Sequence, residues 1–167
     1  MEGTHLFSGN ALAPVDADGG VRLPPFILRE MERHCDGARL LFGVHENDPC
    51  LTGYGSGLRP RLQAELERRR LGDEQAGRPA EDHHARARRL FGMVEEATYD
   101  ARGRIDLPPL ARRRAGITGQ VLFVGAGSHF EIWDPARALS DGGPEVRELA
   151  EYRLEEGLQS REEETRK

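Results

Sequence analysis

The chain has 167 residues, of which 37% are hydrophobic and 32% charged, with a formal net charge of −5. That length suits one domain or two small ones, the composition is that of a water-soluble globular protein, and no apolar run approaches the ~20 residues a membrane span needs. The net charge excludes a generally basic nucleic-acid coat, but the acid is uneven: after Asp141 eight glutamates face five basic residues, and the near-neutral remainder leaves local basic patches visible.

The start, Met-Glu-Gly-Thr-His, lacks the basic segment and long apolar run of a secretory signal, so the chain is expected to stay in the cytoplasm where it is made. Thiols there stay reduced. A disulfide between Cys35 and Cys50 would close a small loop but is not expected, and Cys50 reads as core.

Leu6 and Phe7, followed by Ser-Gly-Asn, read as a short edge strand and turn. An extended segment over 11–15 leads into the turn Asp16-Ala-Asp-Gly-Gly20, and Val21-Arg-Leu23 resumes the extended alternation until Pro24 and Pro25 stop it. Proline tolerates the first turn of a helix, so residues 26–33 are expected to be helical, with Phe26, Ile27, Glu30 and Met31 on one core-facing stripe. Two apolar runs, 39–44 and 50–54, then form a strand hairpin. A helical connector comes next. Its first helix, 59–71, places Leu62, Leu66 and Ala64 on one side and ends at Gly72; its second runs from about Ala80 to Met93.

The stretch TYDARGRIDLPP, Thr98 to Pro109, repeats the earlier PVDADGGVRLPP, Pro14 to Pro25. At one constant offset Asp16 matches Asp100, Gly19 matches Gly103, and the two proline pairs coincide. The second copy continues as the first does, with an Arg-rich helical piece and two apolar runs, 121–124 and 130–133, joined by Gly125-Ala-Gly-Ser128. Each copy therefore reads as strand, turn, strand, short helix, strand, turn, strand, and half-domains near the ~40-residue limit for independent folding should share one core. The division is 5–56, first half-domain; 57–93, connector; 94–137, second half-domain; and 138–167, an acidic tail. Its leucines at 139, 149, 154 and 158 are unevenly spaced, so the tail is expected to be a short helix fraying into disorder.

Asp100-Ala-Arg-Gly-Arg104 presents two arginines across a glycine in a turn. Planar guanidinium donors suit phosphates or base edges, and a nearby aspartate can hold one guanidinium while its other end reaches a guanine. The same residues also fit an ordinary solvated turn whose aspartate caps backbone amides. Other constellations carry less. Asp82, His83 and His84 lack a third ligand at helical spacing, Gly125-Ala-Gly127 lacks the helix of a dinucleotide fingerprint, and Ser128 beside His129 has no nucleophile-elbow context. No cofactor, metal or small-molecule substrate is indicated, and no constellation supports an enzyme.

In order, HLFSGNALAPVDADGGVRLPP, CLTGY, TYDARGRIDLPPLARRRAGI and VLFVGAGSHFEIWDP resemble the MraZ family of bacterial transcriptional regulators, from Leu6 to Pro135. The resemblance implies an α+β fold of two AbrB-like swapped-hairpin half-domains with a shared, barrel-like core, assembly into a ring of identical chains, and binding of double-stranded DNA through Asp-x-x-x-Arg turns. It also implies repression of the division and cell-wall gene cluster that contains the protein's own gene. In the second copy Asp100 and Arg104 stand at the signature positions with Arg102 between them. In the first copy the family pattern Asp-x-Lys-Gly-Arg is replaced by Asp16-Ala-Asp18-Gly19-Gly20, leaving Asp16 in place and Arg22 as a substitute two residues further on. Glycine at position 20 could instead serve a turn that needs φ > 0. The expected function is a DNA-binding repressor acting on short direct repeats as an oligomer, associated with the nucleoid. The alternative is an oligomeric protein-binding adaptor or antitoxin-like module with reduced DNA binding.

Overall fold

A computed structural model describes residues 5–34 and 37–167. The first copy forms β1 (Asn10–Pro14), β2 (Gly20–Arg22), α1 (Pro25–Arg33), β3 (Arg39–Val44) and β4 (Leu51–Tyr54). After α2 (Arg59–Gln75) and α3 (Ala80–Ala87), the second copy repeats the order as β5 (Glu95–Thr98), β6 (Arg104–Asp106), α4 (Pro109–Ala115), β7 (Gln120–Gly125) and β8 (Phe130–Trp133). Both short helices begin on the second proline of their Pro-Pro pair, where a missing N–H costs no intrahelical bond. The extended piece before β1 is a single bridge, Phe7 to Gly127.

Six strands form one antiparallel sheet in the order β1-β7-β8-β4-β3-β5, while β2 and β6 pair as a separate ribbon. The first strand of each copy lies against the hairpin of the other: Leu12 faces Leu122 across β1 and β7, and Leu40 faces Ala97 across β3 and β5. The two hairpins meet at the sheet centre, where Leu51 faces Ile132. Neither half can bury its apolar face alone, so one core takes Leu23, Ile27, Leu40 and Phe42 from the first copy and Ile105, Leu107, Phe123 and Phe130 from the second.

This sheet does not close into the expected barrel. The three-residue strands β2 and β6 pair with each other, reach the segments before their turns only through the single bridges Val15–Val21 and Tyr99–Ile105, and stop two residues before a proline, which leaves β1 and β5 as the sheet's edges. A second correction concerns the tail. It forms α5 (Pro135–Asp141) and then α6 (Pro144–Thr165), a single 22-residue helix, where a short fraying helix is expected. Alternation along β7 explains the anchorage. Val121 and Phe123 face the main core, while Leu122 on the opposite face joins Trp133, Ala138 and Ala150 in a second cluster beneath α5 and α6. Arg153 of α6 donates from Nε to Asn10 Oδ1 at 2.7 Å, tying the helix to the edge strand β1.

In the connector, α2 continues one turn beyond the expected Gly72, and α3 gives way at Arg88–Gly92 to a π-helical turn. Leu66 is buried and Leu62 half-buried as expected, but Ala64 is exposed. An ion pair from Arg86 Nη1 to Asp73 Oδ2, 2.8 Å, holds the two helices together. The expected reduced state of Cys35 lies outside the described residues; Cys50 is a buried thiol whose pKa burial pushes up.

The sheet centre is closely fitted. A Cβ at Gly53 would lie 2.3 Å from the fully buried ring of Phe130. Gly53→Ala is therefore expected to destabilise the fold by about 1–3 kcal/mol through overpacking. Urea unfolding checks it: the midpoint should fall with the slope unchanged.

Candidate nucleic-acid interface

The two repeat turns are built by one hydrogen-bond scheme. Asp16 Oδ1 accepts from the amides of Asp18 and Gly20 at 3.0 and 2.9 Å, and Asp100 Oδ1 accepts from those of Arg102 and Arg104 at 2.9 and 3.0 Å. A main-chain bond closes each loop, Gly19 N to Asp16 O at 3.0 Å and Gly103 N to Asp100 O at 2.9 Å. Such a turn requires a left-handed residue at its fourth position, supplied by Gly19 with φ 85° and Gly103 with φ 78°. Gly20 has no positive φ, so the suggestion that it is needed for its backbone conformation is overturned.

Backbone amides therefore account for the two aspartates. The Gly20 amide, then the Arg104 guanidinium, hold the Asp16 carboxyl below the usual range; the amides of Arg104 and Arg102 do the same for Asp100. A carboxylate whose folded pKa is depressed contributes stability that is complete above its unfolded value and is lost as pH falls through the folded one. The urea midpoint is thus expected to decline below about pH 4. Asp16→Asn combined with Asp100→Asn, which keeps the acceptors but cannot titrate, should flatten that decline in a pH series.

The β2–β6 ribbon sets the turns side by side, pairing Arg22 with Arg104 and Gly20 with Asp106. Arg104 extends across the ribbon and forms an ion pair through Nη2 with Asp16 of the other turn. Gly20 makes this possible, because a Cβ there would meet that guanidinium at 2.0 Å. Arg22 Nε donates to the carbonyl of Arg102 at 3.2 Å and supports the second turn. Arg102 is exposed, as are Asp16, Asp18, Arg22, Asp100 and Arg104. All five expected residues, Asp16, Arg22, Asp100, Arg102 and Arg104, thus lie on one paired loop surface.

One further arginine belongs there and was not anticipated. Arg112 of α4 lies over the first turn, where a Cβ on Gly19 would be 2.6 Å from its guanidinium carbon, and its Nε is buried without a hydrogen-bond partner. The matching position over the second turn is occupied by Leu28, 2.6 Å from a Cβ on Gly103. The repeat offset aligns Leu28 with Arg112, and that mismatch was the available signal. His83 and His84, in contrast, sit on α3 of the connector with rings 5.5 Å apart.

Known proteins resemble this chain over most of its length. Residues 90–137, which include the second turn and the closing hairpin, match the family model described as "MraZ protein, putative antitoxin-like". A protein of Nitrosococcus oceani named transcriptional regulator MraZ is 32% identical over 131 residues, covering 77% of this chain and 81% of that protein. Similar proteins of the same name occur in Herminiimonas arsenicoxydans, 31% identical over 148 residues (84% and 96% of the two chains), and in Thioalkalivibrio sulfidiphilus, 33% identical over 129 residues (77% and 80%).

Proposed function

Because the chain belongs to the MraZ family of transcriptional regulators, which is not a family of enzymes, we propose that it regulates transcription by binding double-stranded DNA through its paired turns. The observation that carries this reading is the ribbon that places Arg22, Arg102 and Arg104 on one exposed surface. Asp16 orients Arg104 by one nitrogen and leaves its remaining donors for a guanine edge or phosphate. Arg102, at the tip of the turn, is suited to a phosphate contact. The exchange of first strands between copies supports a pair of AbrB-like swapped hairpins.

One such surface per chain gives a modest contact. A ring of identical chains would align several of them on short direct repeats, and linked weak contacts then combine by avidity. The protein acts in this reading as a cytoplasmic, nucleoid-associated repressor of the division and cell-wall gene cluster, its own promoter included. The direct test is a titration of the full chain with the DNA upstream of its own gene. Saturable, salt-sensitive binding in preference to scrambled DNA is expected; equal affinity for both removes the proposal.

A second reading, the oligomeric protein-binding adaptor or antitoxin-like module, is favoured by the acid at the first turn, where Asp16 occupies Arg104 and Asp18 stands exposed beside it. It expects no preference for the upstream DNA in the same titration. Both readings need self-association, since the exposed edge strand β5 invites pairing between chains. Light scattering at micromolar concentration should give a mass several times that of one chain, and a stable monomer would count against the ring and the avidity argument together.

A further inference from the structure

Outside the turns, one group of side chains has the composition of a metal site. Glu30 lies in the last turn of α1 and His34 is its C-cap four residues on, with His34 Nε2 3.0 Å from Glu30 Oε1. His5, from the segment before β1, brings Nδ1 to 4.0 Å from the same oxygen. One donor atom from each of the three residues can be chosen so that all lie within 4.8 Å of one another. His5 and Glu30 are buried and His34 is half-buried, which leaves an approach on the His34 side. We propose that His5, Glu30 and His34 bind a divalent transition-metal ion of the zinc class, which fastens the N-terminal segment to α1.

Two imidazoles and one carboxylate select the class. Calcium and magnesium take oxygen donors, whereas imidazole suits zinc, cobalt, nickel and iron. Bonds of about 2.0–2.1 Å at tetrahedral angles separate donors by roughly 3.3 Å. The observed separations of 3.0 and 4.0 Å bracket that value, and with all three donors within 4.8 Å of one another the ligands need to shift by at most roughly 1.5 Å to close on an ion. Water from the open side would complete four-coordination.

The surroundings hold the ligands in position. The amide of Leu6 donates to Glu30 Oε1 at 2.8 Å and fixes the carboxylate, the kind of outer hydrogen bond that orients metal ligands. The His5 ring stacks on Phe7 at 5.4 Å between centroids and meets the His34 ring edge-on at 4.4 Å. A buried glutamate on the apolar stripe of α1 is costly without partners, and its amide and imidazole neighbours supply them.

A second group, His45, Cys50 and Glu131, is likewise hydrogen-bonded within the fold but offers a buried thiol in place of a second imidazole. There His45 Nδ1 already accepts from the amides of Asn47 and Asp48, at 3.2 and 3.0 Å, and Glu131 Oε1 accepts from Trp133 Nε1 at 2.9 Å. Those bonds brace the β3–β4 hairpin without an ion, and the group serves as the control.

The experiment uses the full untagged chain, stripped with a chelator and titrated with zinc by calorimetry, with thermal unfolding alongside. One ion should bind per chain and raise the melting temperature, because a ligand held only by the folded state stabilises it. His34→Ala, a half-exposed change that a helix tolerates, should weaken binding by more than the roughly 10–100-fold that outer-shell changes cost. His5→Ala should do the same, and Cys50→Ser should leave the affinity unaltered. If His5→Ala fails to fold, cobalt titration decides instead: the absorption of a tetrahedral site should be present in the natural chain and absent in His34→Ala. No saturable binding, binding that survives His34→Ala, or binding that disappears in Cys50→Ser would each overturn the proposal.

Discussion

Arg104→Ala is expected to weaken binding to the operator by roughly 10- to 100-fold for each turn engaged, since a guanidinium paired with a guanine edge discriminates by that order. In an oligomer the losses multiply over the chains in contact. The fold should survive, because the side chain is exposed and β6 is held to β2 through its backbone and through the buried Val21 and Ile105. Unaltered far-ultraviolet circular dichroism beside a lost gel shift is the expected combination. Full affinity in the folded variant would remove Arg104 from the interface and leave its ion pair with Asp16 as a purely structural contact. Arg102→Ala offers the contrast. A phosphate contact weakens every sequence alike and should reduce the slope of log affinity against log salt by about one, without altering the preference between sequences.

Much of this architecture is legible in the sequence because it rests on local pattern. The runs of β7 and β8 are bounded by glycine and alternate between faces, and the proline pairs mark where each short helix starts. The turn aspartates announce themselves by spacing, since an acceptor two and four residues before the amides it caps is a local arrangement. What stayed hidden depends on residues distant in sequence. Helix α6 shows no regular leucine spacing, and it is held by Ala150 against the cluster of Trp133 and by Arg153 on Asn10, contacts that exist only once the sheet is built. The pair between Arg104 and Asp16 requires knowing that β2 and β6 are neighbours and that residue 20 lacks a side chain. Glu30 fits the helical stripe by position and is buried as that stripe predicts, yet its partners are the imidazoles of His34 and His5 and the Leu6 amide, from which it accepts across twenty-four residues of sequence.

The first turn provides the sharpest test of how the surface works. Asp18→Lys with Gly20→Arg restores the pattern that the family resemblance implies for that turn. The backbone permits both changes: Gly20 has no positive φ, and Asp18 contributes only its amide to the turn. What must move is Arg104, whose guanidinium fills the space above Gly20 and is the far end of a flexible side chain, and with it the Asp16 carboxylate, whose Oδ2 would lie 2.7 Å from the new Cβ. The double substitution should therefore add cations at the first turn and release Arg104 from its pair with Asp16 as well. Operator affinity is expected to rise, and the slope of log affinity against log salt to steepen by up to about two if both new cations meet phosphates. Arg22→Ala in the natural chain should loosen the second turn by removing its bond to the Arg102 carbonyl, so a loss of affinity there reports on support rather than on replacement of the missing side chain. Thermal unfolding run with each titration separates stability from binding. A stable double variant with unaltered affinity and salt slope would show that the first turn faces away from DNA, and the interface would then reduce to Arg102 and Arg104 alone.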